Sequence, residues 1–240
     1  MKGEDLYTNY VSTHTSVLYG ETSKSAIEKQ FPIWNAYFGN LLPYNKNAKI
    51  LDIGCGDGGF ILWLRSLGYT DVRGIDISLE QVNLAKTNGI EGVMAGDFFK
   101  TLPNQKDSFD FIIARDVLEH IAKDRVVDAL SLIRESLRSG GNFIAQTVNA
   151  ENLLWGRLRY GDFTHELAFT KNSLQQVLYI SGFTKVKAYA QRPVIHGLKS
   201  LIRYVFWMLF ELFLHMYLII ETGSWDAIFT QNIVMDARKD

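Results

Sequence analysis

Residues 50–59, which read ILDIGCGDGG, constrain this chain more than any other segment. An apolar strand ends in Asp52 and continues directly into a turn that contains four glycines. Glycine allows a tight backbone turn and lets a ligand approach where a Cβ atom would clash. The helix expected over about residues 60–67 would direct its first backbone N–H groups toward that ligand. The segment therefore predicts a strand, a turn and a helix that together bind a nucleotide cofactor.

Two classes of cofactor compete for this turn. Gly54, Gly56 and Gly59 fit the G-x-G-x-x-G pattern of dinucleotide-binding proteins, and Asp76 stands where that pattern has its ribose-binding acid. Asp52 argues against a dinucleotide, because a carboxylate repels a pyrophosphate. S-adenosylmethionine has no phosphate and carries a cationic amino group and a sulfonium, so an acidic strand end suits it. The sequence therefore favours S-adenosylmethionine over a nicotinamide cofactor.

Asp52-x-Gly54-x-Gly56-x-Gly58 resembles motif I of the class I S-adenosylmethionine-dependent methyltransferases, and the later segments follow in that family's order over about residues 48–190. The resemblance implies an α/β, Rossmann-like fold with a seven-stranded, mostly parallel sheet and helices on both faces. The last strand, residues 228–236, would be antiparallel. It also implies acids that bind the ribose and the adenine amino group, and an arginine that contributes through its backbone. The expected cofactor-binding residues are Asp52, Gly54, Cys55, Gly56, Asp76, Ile77, Asp97, Phe98 and Arg115.

Strand and helix patterns alternate from residue 49 to residue 190, which independently predicts a parallel sheet with helices on both faces. Ligands of such sheets bind beyond the carboxyl ends of the strands. We expect a methyltransferase domain at residues 49–240. The family resemblance implies that residues 1–48 form an N-terminal helical lid in which Tyr7 or Tyr10 touches the cofactor. A helix packed on the sheet edge is the open alternative, since part of this segment has helical spacing.

Charge and cysteine content narrow the class of protein. The net charge of −1 gives no indication of a nucleic-acid partner. Cys55 is the only cysteine, so no disulfide can form within the chain, which fits a reducing compartment. We expect Cys55 to be a small residue packed under the cofactor rather than a nucleophile. The polar N-terminal residues lack the apolar region of a signal peptide, so we expect a cytoplasmic protein.

The segment RDVLEHI, residues 115–121, follows the fourth predicted strand, where the transferred methyl group would lie. A helix that starts near Asp116 would place Asp116, Glu119 and His120 on one face. Such a cluster can bind a divalent cation such as Mg or Mn, with His165 as a further ligand. His120, Glu119 and His165 are the candidate catalytic residues. A metal-free general base at His120 is an alternative, since an imidazole titrates near neutrality, and a structural role is the third.

The cluster resembles two metal-dependent O-methyltransferase groups, those of the ubiquinone pathway and the small-RNA 3′-end 2′-O-methyltransferases. In both, a helix starts with E-x-x-E-H. Here Asp116 stands in place of the first Glu and shortens that ligand by one methylene. A metal bound to the acceptor hydroxyl would lower its pKa and orient its oxygen.

An insertion at about residues 196–222 is very apolar and rich in aromatic residues. Lys199, Arg203, Glu211 and His215 recur at helical spacing and form one narrow polar stripe. These polar residues interrupt a span that is otherwise long enough to cross a bilayer. Three placements remain open: packing on its own domain, peripheral membrane contact, and dimerisation or partner binding through residues 198–220.

The expected activity is methyl transfer to a hydroxyl of a small molecule or a cell-envelope saccharide. Residues 159–183 resemble a bacterial subgroup whose members accompany cell-surface polysaccharide synthesis. An RNA 2′-O-methyltransferase is an alternative that the neutral charge disfavours. A non-catalytic cofactor-binding subunit that activates a partner is another, since it would need neither Glu119 nor His120.

Overall fold

The computed structural model describes Tyr7, residues 10–15 and residues 23–240. Its centre is a seven-stranded sheet with the strand order β3-β2-β1-β4-β5-β7-β6. All neighbouring strands are parallel except at β7, which is antiparallel to both β5 and β6. The strands are β1 (Lys49–Ile53), β2 (Asp71–Asp76), β3 (Val93–Ala95), β4 (Phe109–Arg115), β5 (Leu137–Val148), β6 (Thr184–Ala190) and β7 (Asn232–Arg238).

The helices alternate with the strands and cover both faces of the sheet. Five short helical turns accompany the helices in the described part of the chain: Val11–Thr15, Gly39–Leu41, Leu102–Asn104, Leu118–His120 and Lys123–Arg125. The α-helices are α1 (Lys24–Glu28), α2 (Phe31–Phe38), α3 (Gly59–Ser66), α4 (Leu79–Thr87), α5 (Phe98–Thr101), α6 (Val126–Ser136), α7 (Trp155–Arg159), α8 (Lys171–Ile180) and α9 (Leu198–Thr222).

The central strands β1 and β4 are buried almost throughout, as their continuous apolar sequences predict for strands covered on both faces. One apolar cluster lies between the sheet and helices α6 and α8, and it includes Leu130 and Leu174. The other lies between the sheet and helices α2 and α3, and it includes Trp63 and Phe38. The predicted parallel sheet, its helical layers and the antiparallel last strand are confirmed.

Two expected boundaries differ from the structure. The last strand starts at Asn232 rather than at residue 228. The backbone groups of Ile228 and Thr230 bond instead to side chains of the loop after β5, including Asn149. The helix expected to start near Asp116 is wrong, because Asp116 has a left-handed φ of 55° and a short turn, Leu118–His120, follows it.

The apolar insertion is a single helix, α9, as the sequence predicts. Among the described residues it is the one helix long and apolar enough to cross a bilayer by length and composition, and only 17% of its most apolar window is buried. The helix contacts its own domain through part of the polar stripe, since Glu211 and His215 are buried. Packing on its own domain therefore leaves the apolar surface of α9 uncovered.

Gly74, in the middle of β2, ties the sheet to the glycine turn. A Cβ atom at this position would lie 2.5 Å from Cys55 Sγ and 2.6 Å from Ile61 Cδ1. Gly74→Ala must push both groups away, so we expect a loss of about 1–3 kcal/mol in the free energy of unfolding, measured by urea denaturation. Gly156→Ala in α7 is the control, since its nearest contact would be an ordinary 3.9 Å. Equal stability of the two variants would contradict the prediction.

Candidate functional site

A pocket of about 660 Å³ opens at the carboxyl ends of β1, β2 and β4. Its volume lies within the usual range for small-molecule sites. Its wall combines the glycine turn, the end of β2, the start of α5 and the turn after β4. The expected cofactor-binding residues that form part of this wall are Gly54, Cys55, Gly56, Asp76, Ile77, Asp97, Phe98 and Arg115.

The glycine turn has the conformation that its sequence predicts. Gly54, Gly56 and Gly58 all have φ between 54° and 74°, a left-handed region that other residues rarely adopt. A Cβ atom on Gly54 would lie 2.4 Å from Val117 Cγ2. Helix α3 begins immediately after Gly58, and the N–H group of its first residue, Gly59, donates to Asp57 Oδ1 at 3.0 Å. The predicted strand, turn and helix are confirmed.

Asp52 is fully buried and does not form part of the pocket wall. The direct contact with the cofactor therefore stays a prediction. Neither carboxylate oxygen has a hydrogen-bond partner among the described residues. Burial raises the pKa of Asp52 to about 7, while the nearby Arg115 charge opposes the rise. An unpartnered buried carboxylate beside a left-handed glycine turn fits a cationic cofactor such as S-adenosylmethionine.

The other two acids stand at strand ends as expected. Asp76 accepts hydrogen bonds from the backbone N–H groups of Gly56 at 2.7 Å and Ser78 at 2.8 Å. Burial raises the pKa of its carboxyl, and the two hydrogen bonds oppose that rise. Asp97 caps α5 by accepting from Phe99 N at 2.9 Å. Each oxygen that accepts one backbone N–H retains a further lone pair toward a ligand.

Cys55 and Arg115 serve the pocket in different ways. Cys55 is buried, and burial raises the pKa of its thiol, so the group is not a thiolate at neutral pH. This environment agrees with a packed residue rather than a nucleophile. The Arg115 guanidinium stacks over the Phe60 ring at 4.2 Å and the Trp34 ring at 5.3 Å. It thus joins the pocket wall to the aromatic core under α2.

The acids after β4 diverge. Asp116 is open to the pocket, where both its oxygens accept from Gln146 Nε2 at 2.9 Å. Glu119 is buried, and its Oε2 accepts from the Thr147 hydroxyl at 2.8 Å. Burial raises the pKa of Glu119 well above its ordinary value, and the Asp116 charge raises it further. Glu119 lies outside the pocket wall, so direct contact with a substrate would require a rearrangement.

His120 does line the pocket, and a chain of hydrogen bonds orients its ring. His120 Nδ1 lies 2.9 Å from the Thr164 hydroxyl, which is 2.6 Å from Asp162 Oδ1. Tyr10 donates its hydroxyl to Asp162 Oδ2 at 2.5 Å. A hydroxyl has one hydrogen, and Thr164 donates it to the carboxylate, so Thr164 accepts from His120 Nδ1. In the neutral ring, Nε2 is then the unprotonated nitrogen.

His165 packs behind His120, with ring centroids 4.6 Å apart, and its Nδ1 donates to Leu158 O at 2.9 Å. Within the described residues, His120, Asp162 and His165 form a group whose ligand atoms all lie within 4.8 Å of one another. The expected metal ligands Asp116 and Glu119 do not belong to this group. They diverge because no helix starts at Asp116, and Asp162 takes the carboxylate position instead.

A segment near the N-terminus borders the pocket through Tyr10. The N–H groups of Val11 and Ser12 donate to Glu80 Oε2 at the start of α4, at 2.8 and 3.3 Å. Tyr10 is held at the opposite side by Asp162. We call residues 10–12 the strap. Both tyrosines expected to touch the cofactor line the pocket, while residues 1–6, 8–9 and 16–22 of the expected lid lie outside the described residues.

Tyr7 forms a further part of the pocket wall, with its ring 6.2 Å from that of His120. Burial raises the pKa of Tyr7 to about 12, so its phenol stays neutral. Sequence reasoning did not select Asp57, Gln81 or Arg125, which also line the pocket. The signal for Asp57 was its position inside the glycine turn, where it accepts from Gly59 N at 3.0 Å.

Curated proteins resemble parts of this chain. It is 31% identical over 121 residues to the ubiquinone biosynthesis O-methyltransferase of Bartonella tribocorum, a match that covers 49% of this chain and 47% of that protein. It is 27% identical over 110 residues to the cyclopropane-fatty-acyl-phospholipid synthase of Escherichia coli, a match that covers 46% of this chain and 28% of that protein. The matched part of the chain thus spans about half the length of these relatives or less.

Solved structures share the fold. A methyltransferase of Archaeoglobus fulgidus, described as dependent on S-adenosylmethionine, superposes with a TM-score of 0.66 at 21% identity, covering 87% of this chain and 94% of that one. Phosphoethanolamine N-methyltransferase 2 of Haemonchus contortus, solved with S-adenosyl-L-methionine, superposes with a TM-score of 0.63 at 14% identity. This match covers 97% of this chain and 60% of that one. At these identities the likeness concerns the fold alone.

Residues 29–188 match the family model described as a methyltransferase domain, which is more than half of the 240-residue chain. The sheet order, the glycine turn and the pocket at the carboxyl strand ends agree with that match. The chain therefore belongs to the methyltransferase-domain family and has the fold of the class I S-adenosylmethionine-dependent methyltransferases.

Proposed function

We propose that the chain transfers a methyl group from S-adenosylmethionine to a hydroxyl of a small molecule or a cell-envelope saccharide. The observation that carries the proposal is the oriented imidazole of His120 in the pocket wall, which is suited to accept a proton. An acceptor that must lose a proton gains about 10²- to 10⁴-fold from such a base. S-adenosylmethionine supplies an electrophilic methyl group on its sulfonium.

His120 Nε2 accepts the hydroxyl proton while the acceptor oxygen bonds to the methyl carbon and the carbon–sulfur bond breaks. Thr164 and Asp162 hold the ring in the required tautomer and stabilise the imidazolium that forms, as the carboxylate does in a hydrolase triad. Asp76 and Asp97 orient the cofactor at the strand ends. Asp52 offers a negative charge to its amino group.

A divalent cation at His120, Asp162 and His165 is a second version of this mechanism. Its support is the convergence of the three side chains. Against it, Asp162 already accepts hydrogen bonds from Thr164 on one oxygen and from Tyr10 on the other. Since a cation would compete with these bonds, we favour the metal-free base.

The acceptor class is tested by transfer of a labelled methyl group from S-adenosylmethionine into fractions of a bacterial lysate, with and without EDTA. We expect label in the small-molecule or lipid-and-saccharide fraction, unchanged by EDTA. Loss of label on chelation would support the cation at His120. Label in RNA would overturn the acceptor class in favour of a 2′-O-methyltransferase. Cofactor binding with no label in any fraction would favour a non-catalytic partner subunit.

His120→Ala should lower the turnover number about 10²- to 10⁴-fold on the labelled fraction. The dissociation constant of S-adenosylhomocysteine, measured by calorimetry, should change little because the ring does not hold the cofactor. His196→Ala is the matched control, since His196 is exposed and lies outside the pocket wall. An unchanged turnover number for His120→Ala would show that another group accepts the proton.

Thr164 contacts the His120 ring and orients it, so Thr164 is a positioning residue for the base. Thr164→Val keeps the shape of the side chain but removes the oxygen that accepts from His120 Nδ1. We expect the turnover number to fall about tenfold or more with little change in KM, and Thr164→Ser to restore most of it. A purely structural role would instead lower the free energy of unfolding in both variants. Urea denaturation of the two proteins distinguishes these outcomes.

The Asp52→Asn variant tests whether the buried negative charge of Asp52 contributes to cofactor binding. A cationic cofactor favours the ionised carboxylate, so wild-type affinity for S-adenosylmethionine should rise about tenfold from pH 6 to pH 8 as Asp52 ionises around pH 7. In Asp52→Asn the affinity should be lower and independent of pH in this range.

The stability of the cofactor-free proteins provides the control for this pH dependence. The raised pKa means that the folded wild type binds the Asp52 proton more tightly than the unfolded chain does. Its contribution to stability is therefore complete below the unfolded pKa and is lost as the pH rises through about 7. Wild type should lose stability relative to Asp52→Asn between pH 5 and pH 8. Parallel affinity profiles for the two proteins would contradict a direct charge interaction with the cofactor.

A further inference from the structure

The polar side of α9 faces the domain and its apolar side faces outward. Arg192 Nε donates to Glu211 Oε2 at 2.7 Å, and Glu211 is only 3% exposed. The buried His215 ring stacks on Trp225 at 4.5 Å with an interplanar angle of 7°. A surface helix ordinarily turns its apolar stripe toward the core. Here the domain covers the Glu211 and His215 part of the polar stripe, so the apolar surface must find another partner.

That apolar surface is large. Fourteen large apolar side chains between Leu198 and Ile220 are exposed, and we call them the ridge. The most exposed are Ile220 at 85%, Leu198 at 73% and Phe206 at 68%. At 3.6 residues per turn they cover an arc of roughly 200°. With about 200 Å² for a fully exposed large side chain, they present on the order of 1,500 Å². The largest apolar patch of a typical monomer is only about 300–600 Å².

The helix lies along the domain rather than projecting from it. Ser200 near its N-terminal end is buried, Glu211 in its middle pairs with Arg192, and His215 in its C-terminal half stacks on Trp225. The helix is about 37 Å long at 1.5 Å per residue, and both neighbouring segments return to the sheet as β6 and β7. A membrane-spanning placement would break these contacts, so the ridge fits an in-plane arrangement.

A second apolar surface lies at the same end of the sheet, because it follows the carboxyl end of β5 and α9 follows the carboxyl end of β6. Five large apolar side chains of the segment after β5 are exposed, and we call them the shoulder: Leu153, Leu154, Trp155, Tyr160 and Phe163. Phe163 is 90% exposed. The loop after β5 that carries the shoulder is joined to α9 by residue 229, whose carbonyl accepts from Asn152 and whose ring lies 5.1 Å from His215. The shoulder also flanks Asp162 and Thr164, which bond to the pocket-lining Tyr10 and His120, so the shoulder lies beside the pocket.

A fluid apolar phase fits the ridge better than a second copy of the chain does. Obligate homodimers bury about 1,000–2,500 Å² per partner, so the area of the ridge alone does not exclude a second copy. The ridge, however, spreads this area around a convex arc. Two such convex helices would meet along a line and leave their flanks exposed. Acyl chains adapt to a convex surface. The exposed charges of α9 are Lys199, Arg203 and Glu221, and Arg157 is exposed beside the shoulder. The cations outnumber the anion, so this surface complements anionic headgroups.

We propose that the ridge and the shoulder dock on the surface of a phospholipid bilayer, with α9 lying in the plane of the interface. Docking places the mouth of the pocket next to the headgroups. The docking surface does not depend on which acceptor is methylated, or on whether methyl transfer occurs at all.

The experiment is flotation of the full chain with vesicles of phosphatidylcholine, with and without 30% phosphatidylglycerol. We expect the protein to float with both, more strongly with the anionic vesicles. Phe206→Ser/Phe213→Ser should lower the partition coefficient at least tenfold on both. Both side chains are exposed, at 68% and 59%, so their loss should leave the melting temperature and S-adenosylhomocysteine binding unchanged.

Tyr44→Ser/Ile180→Ser is the matched control. These two side chains are also exposed, at 103% and 63%, but they precede β1 and β6 and so lie near the amino ends of these strands, away from the carboxyl ends that carry α9 and the shoulder. We expect this protein to float like the wild type. Equal losses in the two double variants would overturn the proposal. So would a wild type that fails to float, including one that sediments as a dimer which Phe206→Ser/Phe213→Ser dissociates.

Discussion

The attachment of the glycine turn to β2 fixes most of the geometry in this protein. Gly54 N donates to Ile75 O at 2.8 Å, and Gly56 N donates to the Asp76 carboxylate. These bonds require the left-handed backbone of the turn, and the missing side chain of Gly74 provides the space beneath it. The start of α3, the acid at the end of β2 and the turn after β4 are thereby held around one pocket.

Local patterns predicted the features that depend on neighbouring residues in the sequence. The glycine turn, the strand-end acids and the alternation of strands and helices are of this kind. The helix at Asp116 is wrong because the deciding contact comes from Gln146, thirty positions away, whose amide holds the Asp116 carboxylate. Asp162 and Thr164 were not selected, since a polar loop has no periodicity to read. Their one signal was proximity in sequence to His165.

Helix α9 shows a second limit of prediction from residue spacing. The spacing of Glu211 and His215 correctly predicts that they share a face of α9. It does not say which face meets the domain, because that choice depends on partners in the flanking segments. Arg192 precedes the helix and Trp225 follows it, and both contact the polar stripe. The general preference for inward apolar faces would have given the opposite orientation.

The strap links ligand entry into the pocket to the hydrogen bonds that orient the His120 ring. Tyr10 is bonded to the carboxylate that orients Thr164, while Val11 and Ser12 are bonded to Glu80 at the start of α4. Lifting the strap to exchange a ligand removes the Tyr10 hydroxyl from Asp162. Asp162 then loses one hydrogen bond, so the position of the strap bears on the carboxylate that orients Thr164 and, through Thr164, on the His120 ring.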